Sequence, residues 1–438
     1  MESTGVLLRA LGAGKLNATL IEMYGESALQ FQLQRYNNLL LRMEKYGNDP
    51  RCVVVSTPGR TELGGNHTDH NNGVVLAAGI HFDCLAVATP TDSSLVHLRS
   101  EGFSAEIEVD LAELDMKSGE EGTSTALVRG VLAGFQSRGW PIGGFDACVA
   151  GDVPMGAGLS SSAAFEVCVG QILNQLFNDG ARTPLELAEV GREAENTYFG
   201  KPCGFMDQIA CAAQGILSID FETPERPQVK EVDFDFAETD YQLMVVDTGG
   251  SHADLTSEYA AITVEMGQAA QVLGREKARG LTLEQVMDAA PEIRREAGDR
   301  ALLRLIHFVE ENKRAERQAA ALKAGDMRFF LHLVKQSGDS SWRLLQNCVS
   351  TKRFLEQGIP VALTLTERFL EGEGAWRMQG GGFAGTIQAY VPKSRVGAYM
   401  AYMENVFGRR SVLPLRIRKP GHERLRLYAD SARYPGQQ

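Results

Sequence analysis

A glycine-rich segment that runs into three serines and then into an apolar helix constrains this chain more than any other feature. It spans residues 151–164 and reads Gly-Asp-Val-Pro-Met-Gly-Ala-Gly-Leu-Ser-Ser-Ser-Ala-Ala. The glycines Gly151, Gly156 and Gly158 allow positive φ angles and a close approach of the backbone to a ligand. The apolar residues that follow recur at helical spacing, so the serines stand at a helix start. Free N–H groups and the positive dipole end at such a start form an anion site, which predicts a bound nucleoside triphosphate.

The same segment supplies a set of candidate phosphate ligands. They are Gly156, Gly158, Leu159, Ser160, Ser161 and Ser162, with Ser162 also the candidate Mg²⁺ ligand. No lysine follows the glycines, so the segment is not a Walker A loop. Because short glycine-rich motifs also match by accident, a Gly/Ser turn that only caps a helix stays open on this segment alone.

The charge balance and the cysteines restrict the class of protein. The 438-residue chain has a formal net charge of −12, which argues against general nucleic-acid binding because that requires a basic face. Apolar runs stay well short of the roughly 18 residues of a membrane span, and the first residues lack the order of a signal peptide. The 7 cysteines are scattered and form no Cys-x-x-Cys pair. We therefore expect reduced thiols in a cytoplasmic protein without membrane or nucleic-acid partners.

Strand-like and helix-like segments are mixed without regular alternation. Helices are predicted at residues 30–45, 125–138, 183–199, 258–272, 283–289 and 300–323. Strands are predicted at residues 52–56, 74–80, 84–88, 145–150, 241–247 and 385–391. The strand at 52–56 is expected to stop at Thr57-Pro58-Gly59, which leaves a loop at 59–73. This arrangement predicts an α+β fold rather than a doubly wound sheet.

The 438-residue chain is long enough for the cores of two or three domains. Residues 1–25 are expected to form a peripheral lead. The Pro- and acid-rich stretch at 222–227 predicts a boundary between an N-terminal domain at 26–221 and a C-terminal domain at 228–438.

A polar cluster at residues 58–73 combines carboxylates, amides and a guanidinium with interleaved glycines. Such groups make the directional hydrogen bonds that a polyhydroxylated ligand needs. An ordinary polar surface loop is the alternative for this cluster alone.

Two further clusters carry candidate chemistry. Asp207 lies between Met206 and an apolar pair, and a partly buried carboxylate needs partners or its pKa shifts. Such a group can act as a base toward a substrate hydroxyl, although an ordinary helix N-cap is an equal alternative. Residues 377–385 contain four glycines in six positions, which permits a tight turn beside a ligand or a β-hairpin turn.

The order and spacing of these clusters resemble the GHMP small-molecule kinases, and within them most closely the galactokinase family. Residues 60–73 resemble the family's sugar loop G-R-V-N-L-I-G-E-H-T-D-Y-N-x-G, 153–164 its phosphate loop, 203–208 its C-G-I-M-D-Q, 252–259 its H-x-x-x-x-S-E-Y, and 377–385 its R-M-T-G-G-G-F-G-G. Five segments in the same order across residues 58–385 are far more specific than any one of them.

The resemblance implies a two-domain α+β kinase with mixed and antiparallel sheets and an active site in the cleft between the domains. It implies ATP and Mg²⁺ as cofactors and phosphorylation of a hexose at its C1 hydroxyl, with D-galactose giving galactose 1-phosphate as the first choice. Asp207 is implied as the catalytic carboxylate near that hydroxyl, with Arg60 keeping it ionised and stabilising the transferred phosphoryl group. The implied sugar-binding residues are Asn66, His67, Asp69, Gly204 and Tyr259.

The chain departs from the family pattern within the sugar loop. Asn66 stands where the family has Glu, and Glu62 stands where it has Asn. By resemblance, the family Glu contacts the C6 hydroxyl of the sugar; Asn66 would offer a neutral hydrogen bond and would remove a charge that repels a C6 carboxylate. A kinase for galacturonate or N-acetylgalactosamine therefore stays open, as does a non-catalytic sugar and ATP sensor on the same fold. Smaller departures fall at Gly64, His70, Gln379 and Ala384.

Overall fold

A computed structural model describes residues 1–47, 50–101, 106–250 and 255–421. Its strands are β1 (Glu2–Ser3), β2 (Arg51–Gly64), β3 (Val74–Pro90), β4 (Leu95–Ser100), β5 (Ile107–Asp110), β6 (Phe145–Gly151), β7 (Ile216–Asp220), β8 (Gln228–Glu231), β9 (Tyr241–Asp247), β10 (Ala375–Met378), β11 (Thr386–Pro392) and β12 (Val412–Leu415). Its α-helices are α1 (Thr4–Gly12), α2 (Asn17–Tyr24), α3 (Leu29–Met43), α4 (Ser124–Ser137), α5 (Ser161–Phe177), α6 (Pro184–Glu193), α7 (Met206–Ala213), α8 (Thr256–Val272), α9 (Leu283–Asp288), α10 (Ala290–Glu296), α11 (Asp299–Lys323), α12 (Met327–Ser340), α13 (Gly358–Leu370) and α14 (Val396–Phe407). Two π-helical turns follow α6 and α12, at Ala194–Phe199 and Ser341–Leu345. The predicted α+β class is confirmed.

The larger sheet is mixed and centres on the long strand β3. Strand β3 pairs antiparallel with β2 along its length, with β7 over its first half and with β6 over its second half. Strand β4 runs parallel to β6 and carries β5 at the edge, while β1 and β8 extend β2 and β7. Alternate residues of the strands enter two different cores: Val53 and Val55 pack under α4–α7, whereas Cys52 and Val54 pack under α1–α3. Burial of both faces explains why these strands read as continuous apolar runs.

Strand β2 continues through the predicted stop. It ends at Gly64, and register shifts between Pro58 and Arg60 and between Glu62 and Gly64 mark irregular pairing with β3. Such bulges accommodate a proline within a strand, which is why the expected loop start at 59 is wrong. Arg60 and Glu62 therefore lie on a strand, and only residues 65–73 connect β2 to β3.

Strand β3 is one strand where the sequence predicts two. Asp83, which lies between the two predicted strands, is fully buried and is neutralised by Arg35 of α3, with Nη1 and Oδ1 2.6 Å apart. Tyr24 also donates a hydrogen bond to Asp83, with Oη and Oδ2 2.6 Å apart. A buried and paired carboxylate does not interrupt a strand.

The first 25 residues pack against the larger sheet. Leu7, Leu11 and Leu20 are buried together with side chains of α3 and of the sheet. These residues therefore form part of the core on that side of the sheet, whereas the sequence predicted a peripheral lead.

The smaller sheet has the strand order β10-β11-β9-β12 and is antiparallel throughout. Met244 and Ile387 pack with residues of α13 and α14 on one face, and Leu243 and Tyr390 enter the main core on the other. Helices α8–α11 form a further apolar cluster, and the long helix α11 joins it to the main core through Ala319.

The chain crosses between the two sheets twice, and the two crossings lie side by side. On the way out, after β8, Val232 donates its N–H to Ile216, with N and O 2.8 Å apart. On the way back, after β12, Gly215 donates its N–H to Arg418, with N and O 3.0 Å apart. Strand β8 still pairs with β7, so the first crossing lies just beyond the predicted boundary at 222–227. The division into domains at 26–221 and 228–438 stays a prediction.

Among the residues described, no helix is both long and apolar enough to cross a membrane.

Candidate active site

A bidentate ion pair between Arg60 and Asp207 joins strand β2 to helix α7. Arg60 projects from β2, and Asp207 is the second residue of α7. The Nε–Oδ1 distance is 2.7 Å and the Nη2–Oδ2 distance is 2.8 Å. Arg60 is almost fully buried, whereas the Asp207 side chain keeps 34% of its surface exposed. The carboxylate is thus held rigidly but stays accessible to a ligand.

The surroundings of Asp207 keep it ionised. Burial by itself would raise the pKa of Asp207, but the charge and hydrogen bonds of Arg60, and then the hydroxyl of Ser160, hold that pKa below its usual range. A carboxylate that is ionised at neutral pH and accessible can accept a proton from a substrate hydroxyl.

The glycine-rich loop of residues 151–160 lies against this pair. The main-chain oxygen of Gly158 accepts a hydrogen bond from Arg60 Nη1, and that of Leu159 accepts one from Arg60 N at 3.0 Å. Ser160 Oγ donates to Asp207 Oδ2. The predicted phosphate loop and the predicted catalytic pair are therefore one site.

Positive φ angles occur at three residues of this loop, but not all are those expected. Gly156 and Gly158 have φ of +78° and +64°, as predicted. Gly151 ends β6 and takes no positive φ; Ser160, the residue before α5, adopts φ of +60° instead. Ser161 begins α5, so its N–H lies at the helix start, where anions bind.

A carboxylate that sequence reasoning missed accompanies Ser162. Glu195, in the first π-helical turn, accepts a hydrogen bond from Ser162 Oγ at 3.0 Å and is 2% exposed. Lys201 Nζ lies 2.9 Å from the same oxygen, and Gln208 Nε2 lies 2.8 Å from the other. No motif points to Glu195, because only the folding of the π-helical turn brings it to the serine loop.

Two of the predicted sugar-binding side chains lie against main-chain oxygens of the glycine-rich turn at residues 380–382. His67 Nε2 lies 2.9 Å from the Gly381 oxygen, and Tyr259 Oη donates to the Gly382 oxygen at 3.0 Å. Burial, and then the neighbouring His70, lowers the pKa of His67 to about 4, so the imidazole is neutral at neutral pH. The turn also lies beside the phosphate loop, since a Cβ on Gly380 would come 3.8 Å from the Gly158 oxygen.

Gly204 and Asp69 touch each other across two loops. A Cβ at Gly204 would lie 2.4 Å from Asp69 Oδ2, so a larger residue here would have to displace the Asp69 carboxylate. Asp69 Oδ1 accepts a hydrogen bond from the N–H of His70 at 3.0 Å. The segment that precedes Asp207 is thereby fixed against the sugar loop.

Asn66 is the one predicted sugar-binding residue that is fully buried. Its Nδ2 donates to Glu62 Oε1 at 3.1 Å and to the Gly380 oxygen at 2.8 Å, and its Oδ1 accepts from Asn347 at 3.0 Å. Glu62 in turn pairs with buried Arg377. His252, which belongs to one of the matching segments, lies outside the described residues.

Comparison with known proteins defines the class first. The profile of the GHMP kinases N-terminal domain matches residues 126–215. The crystal structure of the Methanococcus jannaschii mevalonate kinase is similar to this one with a TM-score of 0.59 at 15% identity, over 83% of this chain and 98% of that one. The fold is that of the GHMP kinases.

The family within this class follows from more specific matches. The galactokinase galactose-binding signature matches residues 43–90. A galactokinase of Streptomyces coelicolor is 33% identical over 367 residues, which are 83% of this chain and 90% of that protein. The crystal structure of the Lactococcus lactis galactokinase complexed with galactose is similar with a TM-score of 0.74 at 26% identity, over 87% of this chain and 98% of that one. This chain belongs to the galactokinase family.

Proposed function

We infer that this chain transfers the γ-phosphoryl group of ATP to the C1 hydroxyl of D-galactose. The observation that carries the inference is the Arg60–Asp207 pair, which holds an ionised and accessible carboxylate directly beside the serine loop. Membership of the galactokinase family supports galactose as the sugar.

The chemistry asked of the protein is mainly positioning and charge stabilisation. Asp207 accepts the proton of the C1 hydroxyl as the hydroxyl oxygen attacks phosphorus. Arg60 keeps Asp207 ionised beforehand and places positive charge next to the transferred group. The N–H groups at the start of α5, together with Gly156 and Gly158, hold the phosphates of ATP.

The residues around Ser162 fit a magnesium ion. A hydroxyl and a buried carboxylate, Ser162 Oγ and Glu195 Oε1, lie 3.0 Å apart, and hard oxygen ligands of this kind suit Mg²⁺. Bound there with ATP, Mg²⁺ would neutralise charge on the phosphate oxygens. Lys201 Nζ, 2.9 Å from the same Oε1, balances the charge of Glu195.

We propose His67, Asp69, Gly204 and Tyr259 as the residues that surround the sugar. His67 and Tyr259 are both fixed by main-chain oxygens of the turn at 380–382. Burial, and then Glu258, raises the pKa of Tyr259 to about 12, so Tyr259 keeps the proton that it donates to the Gly382 oxygen.

The alternatives that the sequence left open have lost support. Glu62 lies 3.1 Å from the Asn66 amide, so a carboxylate is still present beside position 66 and would repel the C6 carboxylate of galacturonate. Arg60 and Asp207 are both present and bonded, which speaks against a non-catalytic sensor.

We also propose a reducing compartment, the cytoplasm, as the site of action. All seven cysteines are free thiols, and six of them are buried. The partners proposed are the sugar and ATP alone, with no nucleic acid or membrane.

The test is to incubate the purified protein with Mg·ATP and galactose, N-acetylgalactosamine, galacturonate, glucose or arabinose, and to measure ADP release and the phosphorylated sugar. We expect turnover with galactose and a product phosphorylated at C1. Turnover with galacturonate alone would restore the specificity alternative, and ADP release with none of the sugars would favour the sensor.

A further inference from the structure

The side chain of Asn66 has no hydrogen-bonding capacity left for a sugar. Its amide nitrogen donates to Glu62 Oε1 at 3.1 Å and to the Gly380 oxygen at 2.8 Å. Its amide oxygen accepts from Asn347 at 3.0 Å and from Ser341 at 3.3 Å. An asparagine offers two donor hydrogens and two acceptor lone pairs, and all four are used inside the protein.

The side-chain partners of Asn66 lie on strand β2, in the turn that follows β10, and in or just after the second π-helical turn. Glu62 belongs to β2, and its charge is balanced by Arg377 of β10, which is completely buried. The backbone at Asn66 is held as well: its oxygen lies 2.9 Å from His307 Nε2, and its N–H donates to Glu311 Oε1 at 3.4 Å. Asn66 is therefore fixed at the junction of the two sheets.

The chain has exchanged two residue types at this junction. The family's sugar loop has Asn at position 62 and Glu at position 66, and here Glu62 and Asn66 hold the reverse arrangement with their side chains in contact. One carboxylate and one amide are retained, and here the carboxylate of Glu62 is paired with Arg377.

We propose, on the basis of the proposed function, that Asn66 is a positioning residue of the phosphoryl transfer: together with Glu62 it fixes the glycine-rich turn 380–382 against the sugar loop, and it makes no contact with the sugar's C6 hydroxyl. The turn carries the oxygens that hold His67 and Tyr259. Loss of the Asn66 amide therefore displaces several sugar contacts together.

The first experiment separates a positioning role from direct contact. The Asn66→Ala variant is compared with the unmodified chain on galactose and on 6-deoxygalactose, which lacks only the C6 hydroxyl; where turnover is too slow, 6-deoxygalactose is used as a competitive inhibitor. We expect kcat/KM for galactose to fall roughly 100-fold, the loss typical of a misplacement near 1 Å. The ratio of kcat/KM for galactose to kcat/KM for 6-deoxygalactose should be the same in the variant as in the unmodified chain.

Selective loss of galactose use, with 6-deoxygalactose unaffected, would overturn the proposal because it would place Asn66 on the C6 hydroxyl. Unchanged kinetics on both sugars would overturn it equally, since the amide would then fix nothing. Thermal unfolding of each variant separates lost positioning from lost fold.

A second set of variants keeps the proposal testable if Asn66→Ala does not fold. Asn347→Ala removes one donor to Asn66 from outside the sugar loop and should also lower kcat/KM for both sugars equally. Asn66→Glu places a second carboxylate beside Glu62 and should abolish activity, whereas Glu62→Asn combined with Asn66→Glu should recover it in part. The exchange keeps one carboxylate and one amide at this pair, and Arg377 Nη1 is buried without a hydrogen-bond partner. If the double variant is no more active than Asn66→Glu alone, the proposed pairing of residues 62 and 66 is contradicted.

The outcome also separates this proposal from the proposed function. If the unmodified chain does not phosphorylate galactose, the proposed function fails whatever the variants do. If it does, only the two-sugar comparison and the exchange decide the role of Asn66.

Discussion

Replacement of Asp207 by asparagine tests the central feature of the site, the bidentate pair with Arg60. The substitution keeps the shape of the side chain and removes its charge and its capacity to accept a proton. General-base contributions are typically about 10²–10⁴-fold, so we expect kcat to fall by at least about 100-fold with galactose and Mg·ATP. The KM for ATP should change much less, because the phosphate loop is untouched.

The cost in stability can be bounded from the geometry. Breaking a fully buried ion pair costs about 3–5 kcal/mol and breaking an exposed pair about 0–1 kcal/mol. The Asp207 side chain is 34% exposed and Arg60 is 8% exposed, and Arg60 keeps its hydrogen bond to Gly158. We therefore expect a loss of about 1–2 kcal/mol in the free energy of unfolding.

Asp220→Asn is the matched control. Asp220 forms a similar bidentate pair with Arg279, at 2.8 and 3.0 Å, and its side chain is 26% exposed. Urea unfolding should give comparable losses for the two variants, while coupled ADP-release assays should show lost turnover only for Asp207→Asn. The reasoning is refuted if Asp207→Asn and Asp220→Asn turn over galactose at similar rates.

Three further perturbations address the phosphate loop, the metal site and the buried charges. Gly158→Ala should raise the KM for ATP, because φ of +64° strains a residue with a side chain by about 1–2 kcal/mol and shifts the loop; initial rates against ATP measure it. Glu195→Gln should raise the Mg²⁺ concentration needed for half-maximal rate, as measured at fixed ATP, because a neutral amide is a weaker ligand. Asp152→Asn should stabilise the protein more at pH 7.5 than at pH 4.5, as measured by urea unfolding. Burial, and then the charge of Asp83, raises the pKa of Asp152 to about 6. The folded state therefore holds this proton more tightly than the unfolded chain, and ionisation above that pH costs stability, on the order of 1–2 kcal/mol.

Each of these has a control or a contradicting result. Gly298, like Gly158, has a positive φ, +95°, but it lies outside the site with open space around it. Gly298→Ala should therefore leave the KM for ATP unchanged. Glu166 Oε2 accepts from Gln208 Nε2 at 3.2 Å, as Glu195 does, but Ser162 bonds to Glu195 instead, so Glu166→Gln should leave the Mg²⁺ requirement unchanged. A stability gain for Asp152→Asn that is equal at both pH values would show that Asp152 is not penalised by ionisation.

The sequence predicted those parts of the structure that depend on local pattern. Strand β9 lies at the predicted residues 241–247, and the Arg60–Asp207 pair could be named because each residue stands in a recognisable cluster. The path of β2 through Pro58 could not be predicted, since only pairing with β3 reveals the bulge that accommodates the proline.

Residues whose roles depend on contacts between distant parts of the sequence could not be predicted. Glu195 meets Ser162 across 33 positions through a π-helical turn, and the chain has 56 acidic side chains from which to choose. The hydrogen bonds of Asn66 depend on Asn347 and Gly380, which lie 281 and 314 positions further along the chain. The roles of these residues in catalysis and binding stay predictions.

The paired crossing of the chain between the two sheets has a mechanical consequence. Val232 on the outgoing segment and Arg418 on the returning one bond to Ile216 and Gly215, which are adjacent in sequence. Both crossing segments are thus anchored at one place, and Leu243 and Tyr390 of the smaller sheet are buried in the main core as well. The two sheets are therefore joined by packing as well as by the chain, and we expect substitutions at residues 215–216 to loosen both crossings together.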